Sequence, residues 1–402
     1  MNSEQTVGYR AKWIFPVATD PIENGIVVCQ NEKILACGKA DSIASDRVVD
    51  LGDVAIIPGL VNAHTHLEFS DLDQPLGDPK LGFPAWIESV IAHRKNQNPK
   101  QQQPKSSVIA RGIQESQNAG VVAIGEIATL PTNASDYDSS LHGVVFHEQL
   151  GNDPLQSESK TAETLAAVNA FQQANWQAGI SPHAPYSTSL NLFRSLASAA
   201  SQRGLPITMH LAETLEEVEF IETGKGPFAE MLERLGVKFN RTAGSINTSD
   251  YLSMLAETGA VIAHGNYLNI DELETVQESK LNIAFCPRTH GYFGHAEYPL
   301  RTMLDLKINV AVGTDSRASN PDLNLFSELI HIAQTQPTVS PHEILHMGTL
   351  AGASALRLNN NFGSIEKGKS AKLCIVSTES GIKSIDQLFE QHNVCRPLGF
   401  SV

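Results

Sequence analysis

The chain alternates short apolar runs with longer amphipathic stretches. Eight runs stand out, at residues 55–61, 121–127, 143–148, 179–183, 206–210, 260–264, 281–286 and 309–313. Each is too short for a helix and nearly continuous in Val, Ile, Ala and Leu, as expected of strands buried on both faces. Helical stretches between them complete a repeated strand–helix alternation, which predicts a (β/α)8 barrel of the TIM type. The first ~55 residues differ. Lys12–Phe15, Gly25–Cys29 and Lys33–Gly38 read as strands separated by turns such as Glu23-Asn24-Gly25. Gly363–Lys369 and Lys372–Val376 offer matching pieces near the other end. The expectation is an α/β protein with its barrel over 57–363 and a small β-sandwich domain built from both termini, 1–56 and 364–402. Residues 96–104 form the one low-complexity segment and read as an exposed loop or helix junction.

The ends of the runs carry the chemistry. A parallel barrel brings the C-terminal ends of its strands to one rim, so residues distant in sequence meet there. The first run leads into Asn62-Ala63-His64-Thr65-His66. Histidines at i and i+2 of an extended segment point to the same side and can grip one metal ion. The fourth run closes on His183, the fifth on His210 with Glu213 three residues beyond, and the sixth on His264. The eighth is followed by Thr314-Asp315. Taken singly, these could be loop histidines, a satisfied core histidine or a helix-capping aspartate. Taken together, they would be coincidences at four later strand ends besides the first.

Three imidazoles and a carboxylate, from His64, His66, His210 and Asp315, suit one divalent ion. Spacing does not separate Zn²⁺ from Fe²⁺. Segments 143–150 and 179–187 hold no lysine that could be carboxylated to bridge a second ion, which favours a single-metal site.

Composition removes other classes. A net charge of −15 argues against nucleic acid or an anionic membrane as partner. The five cysteines are scattered without a C-x-x-C pair, which fits reduced thiols. With no signal pattern and no apolar run near the ~20 residues of a membrane helix, a cytoplasmic protein is expected. His342-Glu343-Ile344-Leu345-His346 matches the metalloprotease pattern H-E-x-x-H. Its flanks read more plainly as a helix start, with Ser340 as N-cap, Pro341 as first helical residue and Glu343 closing a capping box.

Pro58-Gly-Leu-Val-Asn-Ala-His-Thr-His-Leu-Glu68, Ser181-Pro-His-Ala-Pro-Tyr-Ser187, Met209-His-Leu-Ala-Glu-Thr214, Ala263-His-Gly-Asn266 and Gly313-Thr-Asp-Ser316 follow one another in that order. Together they resemble the amidohydrolase superfamily, closest to its mononuclear aminohydrolase branch, over about residues 55–320. That branch holds adenosine-type nucleoside deaminases, guanine deaminases and triazine chlorohydrolases. His64–Glu68, Cys286-Pro287-Arg288 and residues 313–320 look most like aminodeoxyfutalosine deaminases. Thr289-His290-Gly291-Tyr292 departs from their usual Ser-Asn, in a loop that contacts substrate in the family.

The resemblance implies a metal-dependent hydrolytic deaminase acting on an aminopurine-type nucleoside. The alternative is a chlorohydrolase or other amidohydrolase acting on a triazine, a guanine-like ring or a cyclic amide. It implies Glu213 as general acid/base, His264 as the residue that orients the attacking water, and Asp315 as both ligand and proton acceptor. His183 is expected to touch substrate, with Glu68, Trp86 and Arg288 as further pocket candidates. The branch also tends to form homo-oligomers.

Overall fold

A computed structural model describes residues 5–96, 103–239 and 246–399. Most of the low-complexity segment, 97–102, lies outside the described residues. The N-terminal strands are β1 (Val7–Ile14), β2 (Ile22–Gln30), β3 (Lys33–Lys39), β4 (Arg47–Asp50) and β5 (Ala55–Pro58). The barrel strands are β6 (Leu60–Thr65), β7 (Val121–Thr129), β8 (His142–Gln149), β9 (Trp176–Pro182), β10 (Thr208–Leu211), β11 (Val261–His264), β12 (Asn282–Phe285) and β13 (Asn309–Val312). Two more follow, β14 (Leu373–Ser377) and β15 (Val394–Pro397).

Strands β6–β9 form one parallel four-stranded ladder and β10–β13 another. Parallel bridges Ile180–Ile207 and Thr65–Asp315 join the two ladders at both seams, so the eight strands close into a barrel. Nearly every residue of these strands is buried. That explains why they read as continuous apolar runs: one face packs on helices, the other fills the interior. Val61, Ala123, Ile127, Val144 and Phe146 belong to one interior cluster.

Helix boundaries follow local chemistry. Leu190–Arg203 starts at Ser189, whose side chain accepts from the Leu192 N–H, and stops at Gly204 with φ 63°. Pro341–His346 begins with the expected capping box between Ser340 and Glu343. Glu343 also pairs with Arg301 at 3.0 Å, so the H-E-x-x-H glutamate is held as a structural group.

The terminal strands build one seven-stranded mixed sheet with its own apolar core of Tyr9, Ile14, Val27, Ile34, Ile56 and Leu373. The expected β-sandwich thus takes the form of a single hydrogen-bonded sheet, because β1 shares one edge between β4 and β5. The predicted run 55–61 is two strands. The chain crosses from β5 in the terminal sheet to β6 in the barrel at Gly59, whose N–H donates to the Lys372 carbonyl. A Cβ there would lie 2.3 Å from Val122 Cγ1 and 2.8 Å from the Lys372 carbonyl oxygen, so the crossing needs glycine. Gly363–Lys369 is turn rather than strand. It is tied to β3 where the Ile34 N–H donates to the Lys369 carbonyl and the Gly368 N–H to the Ile34 carbonyl.

Candidate active site

Three barrel strands leave the rim through left-handed backbone. Ala212 (φ 53°), His264 (φ 69°) and Asp315 (φ 56°) occupy a region that side chains rarely enter. Such strain persists only where the surroundings enforce it, and it concentrates at functional sites. The enforcing contacts are visible. Glu217 accepts the Ala212 N–H at 3.0 Å and the Glu213 N–H at 2.9 Å, one on each carboxylate oxygen. The Tyr298 hydroxyl donates to the His264 carbonyl at 2.8 Å. The Asp315 N–H donates to the His64 carbonyl, and its own carbonyl accepts from the Thr65 hydroxyl at 2.9 Å.

These exits converge the side chains that the strand ends pointed to. His64, His66 and Asp315 present donor atoms within 4.8 Å of one another, as do His64, His210 and His264, and Glu213, His264 and Asp315. Asp315 Oδ1 lies 3.8 Å from His64 Nε2 and 3.6 Å from His66 Nε2. The His210 Nδ1–H faces the His183 carbonyl at 3.0 Å, which fixes that tautomer and leaves Nε2 as the free donor atom. His264 Nε2 lies 3.5 Å from Glu213 Oε1.

Burial makes these imidazoles neutral. It drives the pKa of His210 down to about 4 and that of His183 to about 3, with the neighbouring His183 adding to the effect at His210. His64, His66 and His264 fall well below 6.5 for the same two reasons. Glu213 is pushed well above the usual carboxylate range by burial, then by Asp315 and Glu217. Burial raises Asp315 to about 6 despite the N–H of Ser316 donating to it.

The donor set fits a divalent cation. His64 is 0% exposed and neither of its ring nitrogens has a hydrogen-bond partner. Neutral imidazoles are the form that ligates, and a buried polar atom without a partner is costly unless something meets it.

His66, His210, Glu213, His264 and Asp315 line a cavity of about 360 Å³, and His64 packs against the histidines among them. His183 and Trp86 line it as expected; Trp86 is 8% exposed and its indole N–H reaches the Ala318 carbonyl. Arg288 is a correction. Its guanidinium binds Glu328 at 2.6 Å and Asp322 at 3.1 Å, and it does not line the cavity. Glu68 also stays out of the main cavity, paired with Arg94 and accepting from the Thr129 hydroxyl at 2.7 Å.

The departing segment Thr289–Tyr292 likewise does not line the cavity. Thr289 instead meets Ser319 at 3.1 Å, and Ser319 donates to Asp315 Oδ2. His342 and His346 line a separate cleft and join none of the candidate metal clusters among the described residues. Sequence reasoning missed Glu148, Asn152 and Ser187 of the lining. Glu148 closes the apolar run 143–148, so the rule that singled out the other run ends would have found it.

The amidohydrolase family model matches residues 55–396. The chain belongs to the amidohydrolase family. It is 27% identical over 383 residues to a 5-methylthioadenosine/S-adenosylhomocysteine deaminase of Moorella thermoacetica, covering 90% of this chain and 83% of that one. It is 27% identical over 349 residues to an aminodeoxyfutalosine deaminase of Nitratiruptor, covering 83% and 82%. In fold it is similar to the crystal structure of Helicobacter pylori aminofutalosine deaminase, with a TM-score of 0.82, 24% identity and 98% of each chain covered. It is also similar to a zinc-bound adenosine deaminase of Xanthomonas campestris, with a TM-score of 0.76, 23% identity and coverage of 95% and 88%. As an amidohydrolase the chain is a hydrolase of a metal-dependent family, and the His/Asp cluster is where a metal fits.

Proposed function

We propose that this amidohydrolase deaminates an aminopurine-type nucleoside by hydrolysis, a substrate of the aminodeoxyfutalosine or adenosine-derivative kind. The observation that carries the reading is the convergence of four ligand-type side chains with Glu213 and His264, all but His64 lining one cavity. Relatives named as nucleoside deaminases support it.

In this reading His64, His66, His210 and Asp315 hold one Zn²⁺ or Fe²⁺ per chain. What such an ion supplies when bound is a water acidic enough to attack near neutral pH, its pKa lowered from 15.7 towards ~7 in favourable cases. Glu213 moves protons. Ionised, it takes one from the attacking water; protonated, a state its burial favours, it gives one to the ring nitrogen. His264, 3.5 Å from Glu213, orients the water and offsets charge developing at the carbon. Asp315 accepts the water's second proton, and the amine leaves as ammonia. His183 and Trp86 contact the ring or sugar. Free cysteines throughout the chain fit a reducing compartment, the cytoplasm.

The test is ammonia release by Zn²⁺- or Fe²⁺-loaded protein from aminodeoxyfutalosine, S-adenosylhomocysteine, methylthioadenosine and adenosine, with guanine as outgroup. Rapid turnover of one nucleoside is expected. Silence from all of them, with one metal bound per chain, would contradict the reading and favour a triazine, guanine-like ring or cyclic amide.

A further inference from the structure

Three of the four proposed ligands stand at one seam of the barrel. His64 and His66 come from the end of β6, and Asp315 follows β13, the first and last barrel strands. Closing a barrel ordinarily carries the hydrogen-bond register on across the seam. Here β6 and β13 form no ladder and meet through the bridge Thr65–Asp315, where the Asp315 N–H donates to the His64 carbonyl at 3.0 Å. The seam between β9 and β10 is held by main chain alone on either side of its bridge. There the Ile180 N–H donates to the Pro206 carbonyl and the His210 N–H to the His183 carbonyl.

At the β6–β13 seam a side chain supplies what the ladder lacks. Asn62 is 0% exposed. Its Oδ1 accepts the His64 N–H at 3.3 Å on its own strand and the Thr314 N–H at 3.2 Å across the seam. Its Nδ2 donates to Thr314 Oγ1 at 2.8 Å. The Thr314 hydroxyl donates in turn to Thr65 Oγ1 at 3.2 Å, and the Thr65 hydroxyl to the Asp315 carbonyl at 2.9 Å. Only the oxygen of the amide can face two N–H groups, so its orientation is fixed. A Cβ on Gly313 would lie 2.7 Å from the His64 carbonyl oxygen, so the strands approach closely where the clasp holds them. The network reaches the main chain of His64 and Asp315 and leaves both ring nitrogens of His64 without a partner.

We infer that Asn62 is a positioning residue, clasping the closing seam of the barrel so that His64 and His66 keep their spacing to Asp315. The inference rests on the metal reading above. Loosening the clasp frees Asp315 from the two histidines whose Nε2 atoms lie 3.8 and 3.6 Å from its Oδ1. Metal affinity falls as a result, by about 10–100-fold where a residue that orients ligands is lost.

The experiment measures Zn²⁺ affinity of the full chain by competition with a colorimetric chelator. It compares wild type with Asn62→Leu, Asn62→Asp and Thr314→Val. Ile113→Ala, a core truncation in the helix Lys105–Asn118 outside the seam, is the stability control. Asn62→Leu is expected to bind zinc about 10–100-fold more weakly than wild type. Asn62→Asp keeps an oxygen for both N–H groups, and the Thr314 hydroxyl can turn to donate to the other oxygen. Its affinity should stay within about threefold of wild type. Thr314→Val removes the middle hydroxyl and should weaken binding about tenfold, which carries the test if Asn62→Leu does not fold. Ile113→Ala should lower the urea midpoint and keep wild-type affinity.

Wild-type affinity in Asn62→Leu, or in Thr314→Val should Asn62→Leu not fold, would overturn the inference. Equal weakening in Ile113→Ala would overturn it too, by making the effect one of general stability. So would an Asn62→Asp as weak as Asn62→Leu, because the retained acceptor would then count for nothing. If wild type itself binds no zinc, the metal reading fails and takes this one with it. Wild-type binding combined with any of the contrary results removes this one alone.

Discussion

Glu217 shows how much of the site depends on a residue that never reaches the substrate. It lies in the first turn of the helix Leu215–Thr223 and turns both oxygens back onto the N–H groups of Ala212 and Glu213. Replacing it with Ala leaves two buried donors unmet, at roughly 1–3 kcal/mol each. We expect Glu217→Ala to lower unfolding stability by that order in urea, and to lower kcat more than it raises KM because Glu213 loses its anchor. An unchanged urea midpoint would remove Glu217 from this role. The proposed ligands were legible at this scale because a histidine closing an apolar run is conspicuous. Arg288 was not: a lone arginine near a strand end carries no mark of its partners, and Glu328 and Asp322 lie 40 and 34 residues away.

At the scale of elements, the strand exits decide the geometry. Each left-handed exit turns the chain sharply: Glu213 enters the cavity lining directly after Ala212, and His264 and Asp315 line it from the turning residue itself. Ala212 tolerates φ 53° because a methyl is small; a β-branched residue would not. Ala212→Val is expected to cost about 1–2 kcal/mol in urea unfolding and to reduce activity, while Ala212→Gly should be near neutral. Equal behaviour of the two variants would contradict the strain argument.

The eight barrel strands were legible as apolar runs, but their boundaries were not. Run 55–61 concealed a crossing between two sheets at Gly59, because both halves are buried and equally apolar. Strands β4 and β15 escaped notice for the opposite reason, their exposed residues giving no apolar run. The H-E-x-x-H match resolved as the capping box its flanks predicted.

Over the whole molecule, buried neutral histidines couple stability to pH. His147, His290 and His295 lie outside the metal cluster, and burial brings each down to about 4. Below the ordinary 6.5 the unfolded chain binds protons that the folded chain refuses. The stability these histidines contribute therefore falls as pH drops from about 6.5 towards 4, by at most ~1.4 kcal/mol per pH unit for each group, less where water still reaches the ring. Buried acids such as Asp315, raised to about 6, act in the opposite sense, so the test is a difference: between pH 7.0, 5.5 and 4.5 the urea midpoint of wild type should fall relative to that of His147→Leu. A difference that stays constant with pH would refute the assignment.

The convergence of distant strand ends was legible because barrel topology predicts it. What sequence could not give was which side chains between the ligands face the cavity, since that depends on the left-handed exits.

The central claim is that a metal held by His64, His66, His210 and Asp315 works with Glu213 in hydrolytic deamination. Its most direct test measures bound metal and ammonia release together in wild type and Glu213→Gln, on the best nucleoside substrate. The account predicts one metal per chain in both proteins and a kcat roughly 10²–10⁴-fold lower in the variant. A variant within twofold of wild type, or one that has lost its metal, would contradict it.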